Sequence, residues 1–273
     1  MLEKIRYKNH VNEIIDMGTG TIFVNENDLH DFSWSVTSKN DRISAFKKGI
    51  VKKTIPLQIV CESEAEGIEI RNRIFEIMEK DVLAMQHGRF IIGDYYLKCY
   101  VTGSKKSEYL KNKGMMSVSL TVQTDYPEWV KETITTFNYG AGTQGTNLDY
   151  NNDFPYDYTS NLLGQMLENT SFKESNFIIN IYGASTNPKV TIAGHDYEVN
   201  VTFAENEYLT INSIDKTIVL TKTDGTKVNC FNLRNRNSYI FEKIPAGTNL
   251  VGANGNFKFD ITLLDERGEP KWI

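Results

Sequence analysis

The sequence predicts a mainly-β chain in two parts: a first-half sheet with one packed α-helix, then an antiparallel β-sandwich. Three observations predict it. Residues Phe257 to Leu263 alternate apolar and polar without a break, placing Phe257, Phe259, Ile261 and Leu263 on one strand face and Lys258, Asp260 and Thr262 on the other. From Asn176 onward, short apolar runs recur between turn signals at the spacing of sandwich strands, with no helices alternating between them. One stretch of the first half, about 63–80, instead shows the period of an amphipathic helix.

Composition narrows the function classes. A chain of 273 residues can hold two ordinary domains, and 40% hydrophobic with 24% charged residues excludes wholesale disorder. The net charge of −5 argues against a dedicated nucleic-acid binder. Residues 1–137 hold 19 basic and 19 acidic residues, whereas 138–273 hold 11 and 16, so the acidity belongs to the second half. Cys61, Cys99 and Cys230 form no CxxC pair and read as reduced, buried thiols. The start, MLEKIRYKNHVNEIID, has no signal-peptide core, and no run approaches the ~20 apolar residues of a membrane helix. The expectation is cytoplasmic synthesis and no membrane insertion.

In order, Ile22–Val24 and Asp31–Val36 read as short strands, with Phe32, Trp34 and Val36 on one face. Thr37 to Lys53 then carries Lys39, Arg42, Lys47, Lys48, Lys52 and Lys53 against the single Asp41. It is too long for a tight turn before the strand Ile50–Val60, so it is expected to project as an arm. Ser63 and Glu66 fit a capping box. Behind them Ile70, Ile74, Phe75, Ile77 and Met78 recur at helical spacing. Arg89–Ile92 and Tyr95–Thr102 flank Gly93-Asp94 as a hairpin, Lys105–Gly114 reads as a loop, and Met116–Asp125 is a strand. Tyr126 to Asn152, with its glycines, reads as the interdomain connection, and Asn161–Glu168 as a helical turn or two.

The second half reads as strands at Phe177–Tyr182, Lys189–Ala193, Tyr197–Phe203, Tyr208–Ile211, Thr217–Thr221, Lys227–Leu233 and Ser238–Lys243, followed by the closing strand. Gly194 and Asp224-Gly225 mark hairpins, and Asn254-Gly255 is the strongest short hairpin signal of all.

No catalytic or metal constellation emerges, and no cofactor is expected. Gly140-Ala141-Gly142-Thr143-Gln144-Gly145 matches G-x-G-x-x-G, but no helical pattern follows to hold a pyrophosphate. His10, His30, His87 and His195 show no zinc spacing, and there is no G-x-S-x-G elbow. Tyr150, Phe154, Tyr156 and Tyr158 could stack against sugars or form the edge of the sandwich.

Taken together, Phe32-Ser33-Trp34 in an early strand, the basic arm, the strand-plus-helix Ile55–Lys80, the hairpin Gly88–Val101, Ile244–Asn249 and the closing Phe257–Trp272 resemble the distal tail (Dit) proteins of long-tailed phages and prophages of Gram-positive hosts. The resemblance runs over nearly the whole chain. It implies an N-terminal ring-forming β-sandwich with a helix (1–137) and a C-terminal galectin-like antiparallel β-sandwich (138–273), the last residues returning to the first domain.

The resemblance further implies a non-enzymatic virion protein of the tail tip or baseplate. It would form a homo-hexamer, or a back-to-back dodecamer, that joins tail tube protein to the hub or tail lysin protein. It would leave a DNA channel and offer a docking place for receptor-binding protein. In that setting Lys39, Arg42, Lys47, Lys48, Lys52 and Lys53 are candidates for an intersubunit arm that meets acidic groups of a neighbour. The runner-up is a carbohydrate-binding module recognising host glycans through Tyr150 to Tyr158.

Overall fold

A computed structural model of the chain describes residues 4–18, 20–24, 26–110, 114–138 and 165–272. The chain divides into two compact units. The first holds the chain up to Lys131 together with the segment from Glu266 onward, and the second is Glu132–Asp265.

The first unit contains β1 (Ile5–Lys8), β2 (Ile14–Met17), β3 (Ile22–Val24), β4 (Ser35–Lys39), β5 (Arg42–Lys47), β6 (Val51–Val60), α1 (Glu64–Ala84), β7 (Gly88–Ile92), β8 (Tyr95–Leu110) and β9 (Met115–Thr124). The strand β10 (Trp129–Asn138) begins in this unit and ends in the second. Two antiparallel sheets form, β2-β1-β7-β8 and β3-β6-β9-β8. The 16-residue β8 serves both: Tyr95 to Cys99 pair with β7, and from Tyr100 it pairs with β9 through a register shift at Val101–Gly103. Such an irregularity bends a strand, which lets one strand turn the corner between sheets. Tyr7, Phe90 and Leu97 from one sheet and Ile55, Leu57 and Val118 from the other share a core with Ile74, Ile77 and Met78 of α1. This is the sandwich with one packed helix.

The helix is capped as its sequence predicts. The Glu66 amide donates to Ser63 Oγ at 3.2 Å, and Glu66 Oε2 accepts from the amide of Glu62, one residue before the cap. The helix continues to Ala84, where Met85 adopts a left-handed φ of 52°. Phe75, expected among the inward residues, faces outward at 55% exposure, because Ile74 and Met78 already fill the buried stripe.

Several first-half expectations change. The strands β1 and β2 are too short and polar to announce themselves, yet Tyr7 and Ile15 are buried. Lys105–Leu110, read as a loop, continues β8 along β9. Of the stretch Tyr126–Asn152 read as a connection, Trp129–Asn138 is the strand β10, where Trp129 and Val130 are buried and pair with Leu97 and Tyr96, and 139–152 lie outside the described residues.

The second unit is a sandwich of two antiparallel sheets. One runs β19-β18-β17-β12-β21 with the end of β10, and the other runs β11-β20-β14-β15. The strands are β11 (Gln165–Asn169), β12 (Asn176–Tyr182), β13 (Ser185–Thr186), β14 (Lys189–Ile192), β15 (His195–Glu198), β16 (Thr202–Phe203), β17 (Tyr208–Asn212), β18 (Thr217–Thr221), β19 (Lys227–Asn229), β20 (Gly247–Ala253) and β21 (Lys258–Arg267). Ile179, Ile211 and Phe259 from the first sheet meet Leu167, Val190 and Val251 from the second in one core. The closing strand buries Phe259, Ile261 and Leu263 as its alternation requires.

The Asn161–Glu168 stretch is not helical where it is described, since Gln165–Asn169 pairs with β20. Ser238–Lys243 is irregular, tied by Ser238 Oγ to the Asp196 carbonyl (2.7 Å) and by Tyr197 to the Glu242 carbonyl (2.8 Å). Asn254-Gly255 does not close a hairpin: β20 and β21 belong to different sheets. Asn254 instead prolongs the β14 edge, its amide donating to the Lys189 carbonyl and its Oδ1 accepting from the Lys189 amide. Burial of the two flanking strands against opposite sides of the core decides this, and the turn follows.

Candidate assembly surface

The arm of the first unit is itself a hairpin. β4 and β5 pair with each other around Asn40 and Asp41, whose φ values of 51° and 56° are the consecutive left-handed pair of a type I′ turn. The expected strand at Asp31–Val36 therefore starts only at Ser35. The pairing sets the faces. Val36 lies opposite Phe46 and Ser38 opposite Ile43, so Val36, Ile43 and Phe46 share one side, with Trp34 edge-on to Phe46 at 6.3 Å. Lys39 lies opposite Arg42 and Ser35 opposite Lys47, so the three cations share the other side. The apolar residues are 50–61% exposed. Only sheet pairing reveals this amphipathic division, because a bulge between Thr37 and Ser38 shifts the register.

The six predicted arm residues separate. Lys39, Arg42 and Lys47 are exposed on the hairpin, and Lys52 is exposed on β6. Lys48 turns inward, its Nζ 2.8 Å from Glu128 Oε1 and 4.5 Å above the Trp34 ring. Lys53 shares the buried face of β6 with Ile55 and Leu57, and its Nζ donates to the carbonyls of Asp28 (2.6 Å) and Asp31 (2.5 Å). Burial pulls its pKa down, and the carboxylates of Asp31 and Asp28 oppose that shift. Trp129 Nε1 donates to the Leu29 carbonyl at 3.1 Å, Phe32 packs on Gly268, and His30 stacks on Trp272 at 4.0 Å. The root of the hairpin is thus held from several strands, while the apolar side of the hairpin is half exposed.

A groove of about 200 Å³ runs between α1 and the strands β8 and β9. Phe75, Met78 and Val82 form its helical wall, with Val101, Val118 and Leu120 opposite and Arg71, Glu79 and Lys106 at its rim. Behind the helix, Asp81 is fully buried and accepts from Tyr7 Oη (2.5 Å) and the His10 amide (2.8 Å), with His10 Nδ1 at 2.6 Å. Burial first, then the nearby Cys99 and Asp81, raises the Tyr7 phenol far above its ordinary range. This cluster pins the helix to the β1–β2 turn.

Among the described residues no group of three or more His, Cys, Asp or Glu could hold a metal ion, and no helix is long and apolar enough to cross a membrane. Cys99 and Cys230 are buried thiols, and burial raises the pKa of both. The glycine run Gly140–Gly145 and the aromatic residues Tyr150, Phe154, Tyr156 and Tyr158 lie outside the described residues.

No sequence-family profile and no curated protein sequence matches the chain. Solved structures do. The crystal structure of SPP1 Dit (gp 19.1), described as a paradigm of the hub adsorption apparatus in phages infecting Gram-positive hosts, superposes with a TM-score of 0.61 at 9% identity, covering 96% of this chain and 99% of that one. A chain of the phage P2 baseplate in its activated conformation with calcium gives 0.62 at 13% identity, covering 99% and 100%, and its strontium counterpart gives 0.62 at 12% with the same coverage. At these identities the likeness is one of fold. It spans both units, and it is the fold that the sequence resemblance implied.

Proposed function

We propose that this chain is a structural distal tail protein of a long-tailed phage or tail-like particle. It forms a six-membered ring between the tail tube and the tail-tip hub, with a central passage for DNA. The observation that carries the reading is the end-to-end fold match to Dit and baseplate chains. A rooted hairpin with a half-exposed apolar side supports it, since such a surface serves a chain that meets another. A near-neutral first half packs beside its copies without self-repulsion, and the acidic second half stays solvated at the periphery, where receptor-binding protein would dock. In this reading Lys39, Arg42 and Lys47 travel with the arm to a neighbour, while Lys48 and Lys53 build its root.

The test is mass photometry and negative-stain imaging of the purified chain, alone and with its tail tube partner. Annular particles of six copies, or of twelve as back-to-back rings, are expected. A single-copy particle at every concentration, with the partner present, would overturn the reading.

A further inference from the structure

We propose that the outer side of the β17-β12-β21 sheet in the second unit, where Tyr182 and Tyr208 lie beside Asp260, Asn180 and Thr210, binds a saccharide. The site goes beyond the ring reading and does not depend on it.

Pairing register fixes what this side presents. Ile181, Leu209 and Phe259 point into the core, so the residues alternating with them point out. Asn180 lies opposite both Thr210 and Asp260, and Tyr182 lies opposite both Tyr208 and Lys258. Beyond Tyr208 the second row continues to Thr221 and Lys227. One row is therefore polar, and the row beside it is aromatic with a lysine at each end. Adjacent strands lie about 4.8 Å apart, so the polar row is about 10 Å across, room for one or two sugar rings.

The polar row is held in place by its own hydrogen bonds. Asp260 accepts from Tyr182 Oη at 2.9 Å and from Thr136 Oγ1 at 2.7 Å, which fixes its carboxylate. Thr210 Oγ1 donates to Asn180 Oδ1 at 2.8 Å, which orients the amide and leaves its N–H donors unspent among the described residues. The Tyr208 ring is 37% exposed and its centroid stands 6.1 Å from that of Tyr182. A sugar ring offers an apolar C–H side and a rim of hydroxyls that both donate and accept. The tyrosine rings suit the first, and a fixed carboxylate beside an oriented amide suits the second. Partners already in position reduce the ordering cost of binding.

The outer side of the other sheet makes the contrast. There Met166 and Leu250 lie opposite each other, 60% and 55% exposed, an apolar pair of the kind a protein partner covers. The tyrosine side instead surrounds its rings with threonine, asparagine and aspartate. Lys258 and Lys227 would meet acidic substituents on a saccharide. Fold alone carries no ligand; these side chains do.

The experiment uses the full chain and saturation-transfer NMR with the methyl glycosides of glucose, galactose, N-acetylglucosamine, N-acetylgalactosamine and rhamnose, alongside an array of bacterial cell-wall polysaccharides. At least one of these saccharides should take up saturation on its ring C–H protons. Tyr208→Ala, at an exposed position, should weaken that binding about tenfold or more, and Asn180→Ala about threefold or more. Tyr208→Phe keeps the ring and should stay within about twofold, and Leu250→Ser on the other sheet should match the wild type. Denaturant midpoints confirm that each variant folds. Binding that survives both Tyr208→Ala and Asn180→Ala lies elsewhere, Tyr150 to Tyr158 included, and would overturn this site. So would the absence of signal from every saccharide. Either result leaves the ring, read separately from particle mass, standing.

Discussion

Lys48 and Glu128 face each other across 2.8 Å at the base of the hairpin, with both side chains largely shielded from solvent. Lys48 is also the cation above Trp34, so a single side chain ties the residue just before the hairpin's first strand to the segment before β10. Its contribution is therefore to positioning within its own chain. Lys48→Ala should destabilise the first unit by about 2–3 kcal/mol, because a shielded carboxylate loses its partner. The swap Lys48→Glu with Glu128→Lys should recover at least half of the loss of either single change. Denaturant midpoints of the wild type, Lys48→Ala, the two single charge reversals and the swap check this, and additive losses in the swap would show that the pair is not coupled.

The residue opposite Asp81 has no room to grow. A Cβ at Gly88 would lie 2.2 Å from both Asp81 Oδ2 and Tyr7 Oη, so Gly88→Ala must break the buried cluster. A loss of at least about 3 kcal/mol is expected. Tyr7→Phe removes one donor without adding bulk and should cost about 1–3 kcal/mol. If both variants unfold at the wild-type denaturant concentration, the cluster does not anchor α1.

Lys53 tests how the root is held. Lys53→Met keeps the stem packed beside Ile55 but leaves the carbonyls of Asp28 and Asp31 without this donor. The expected loss is about 1–3 kcal/mol, with faster amide exchange confined to residues 26–34. Unchanged exchange there would mean that the loop is fixed by its other contacts, the Trp129–Leu29 hydrogen bond and the packing of His30 on Trp272 and Phe32 on Gly268 among them.

What the sequence made legible follows from where the physics is local. The capping box at Ser63 and Glu66, the alternation of Phe259, Ile261 and Leu263, and the turns at Gly194 and Gly225 depend on neighbours in the chain, and each was readable. Asn254-Gly255 was misread because turn chemistry permits a hairpin without compelling one; the destinations of β20 and β21 are long-range facts. Lys53 was misassigned to the arm because charge alone places a lysine outside, although the alternation Lys53, Ile55, Leu57, Ile59 already put it on the buried face. The amphipathic hairpin stayed hidden behind its bulge, and the Asp81 cluster joins residues more than seventy positions apart.

Burial first, then its hydrogen bond to Asp260 at 2.9 Å, pushes the Tyr182 phenol up to about 12 from the usual 10. Tyr126, hydrogen-bonded to Glu266, and the buried Tyr7 and Tyr197 are also raised, with burial the largest cause in each. A phenol whose pKa is higher in the fold than in the unfolded chain contributes stability that is intact below pH ~10. That contribution falls as pH rises through the raised value, because the unfolded chain releases the proton first. Stability should thus decline from about pH 10 upward. A spectrophotometric titration of the 14 tyrosines should show a late class that ionises only near pH 12 or on unfolding. Tyr182→Phe should shrink that class and flatten the decline in denaturant midpoint between pH 10 and 12. A variant with the wild-type slope would show that Tyr182 titrates as an ordinary exposed phenol.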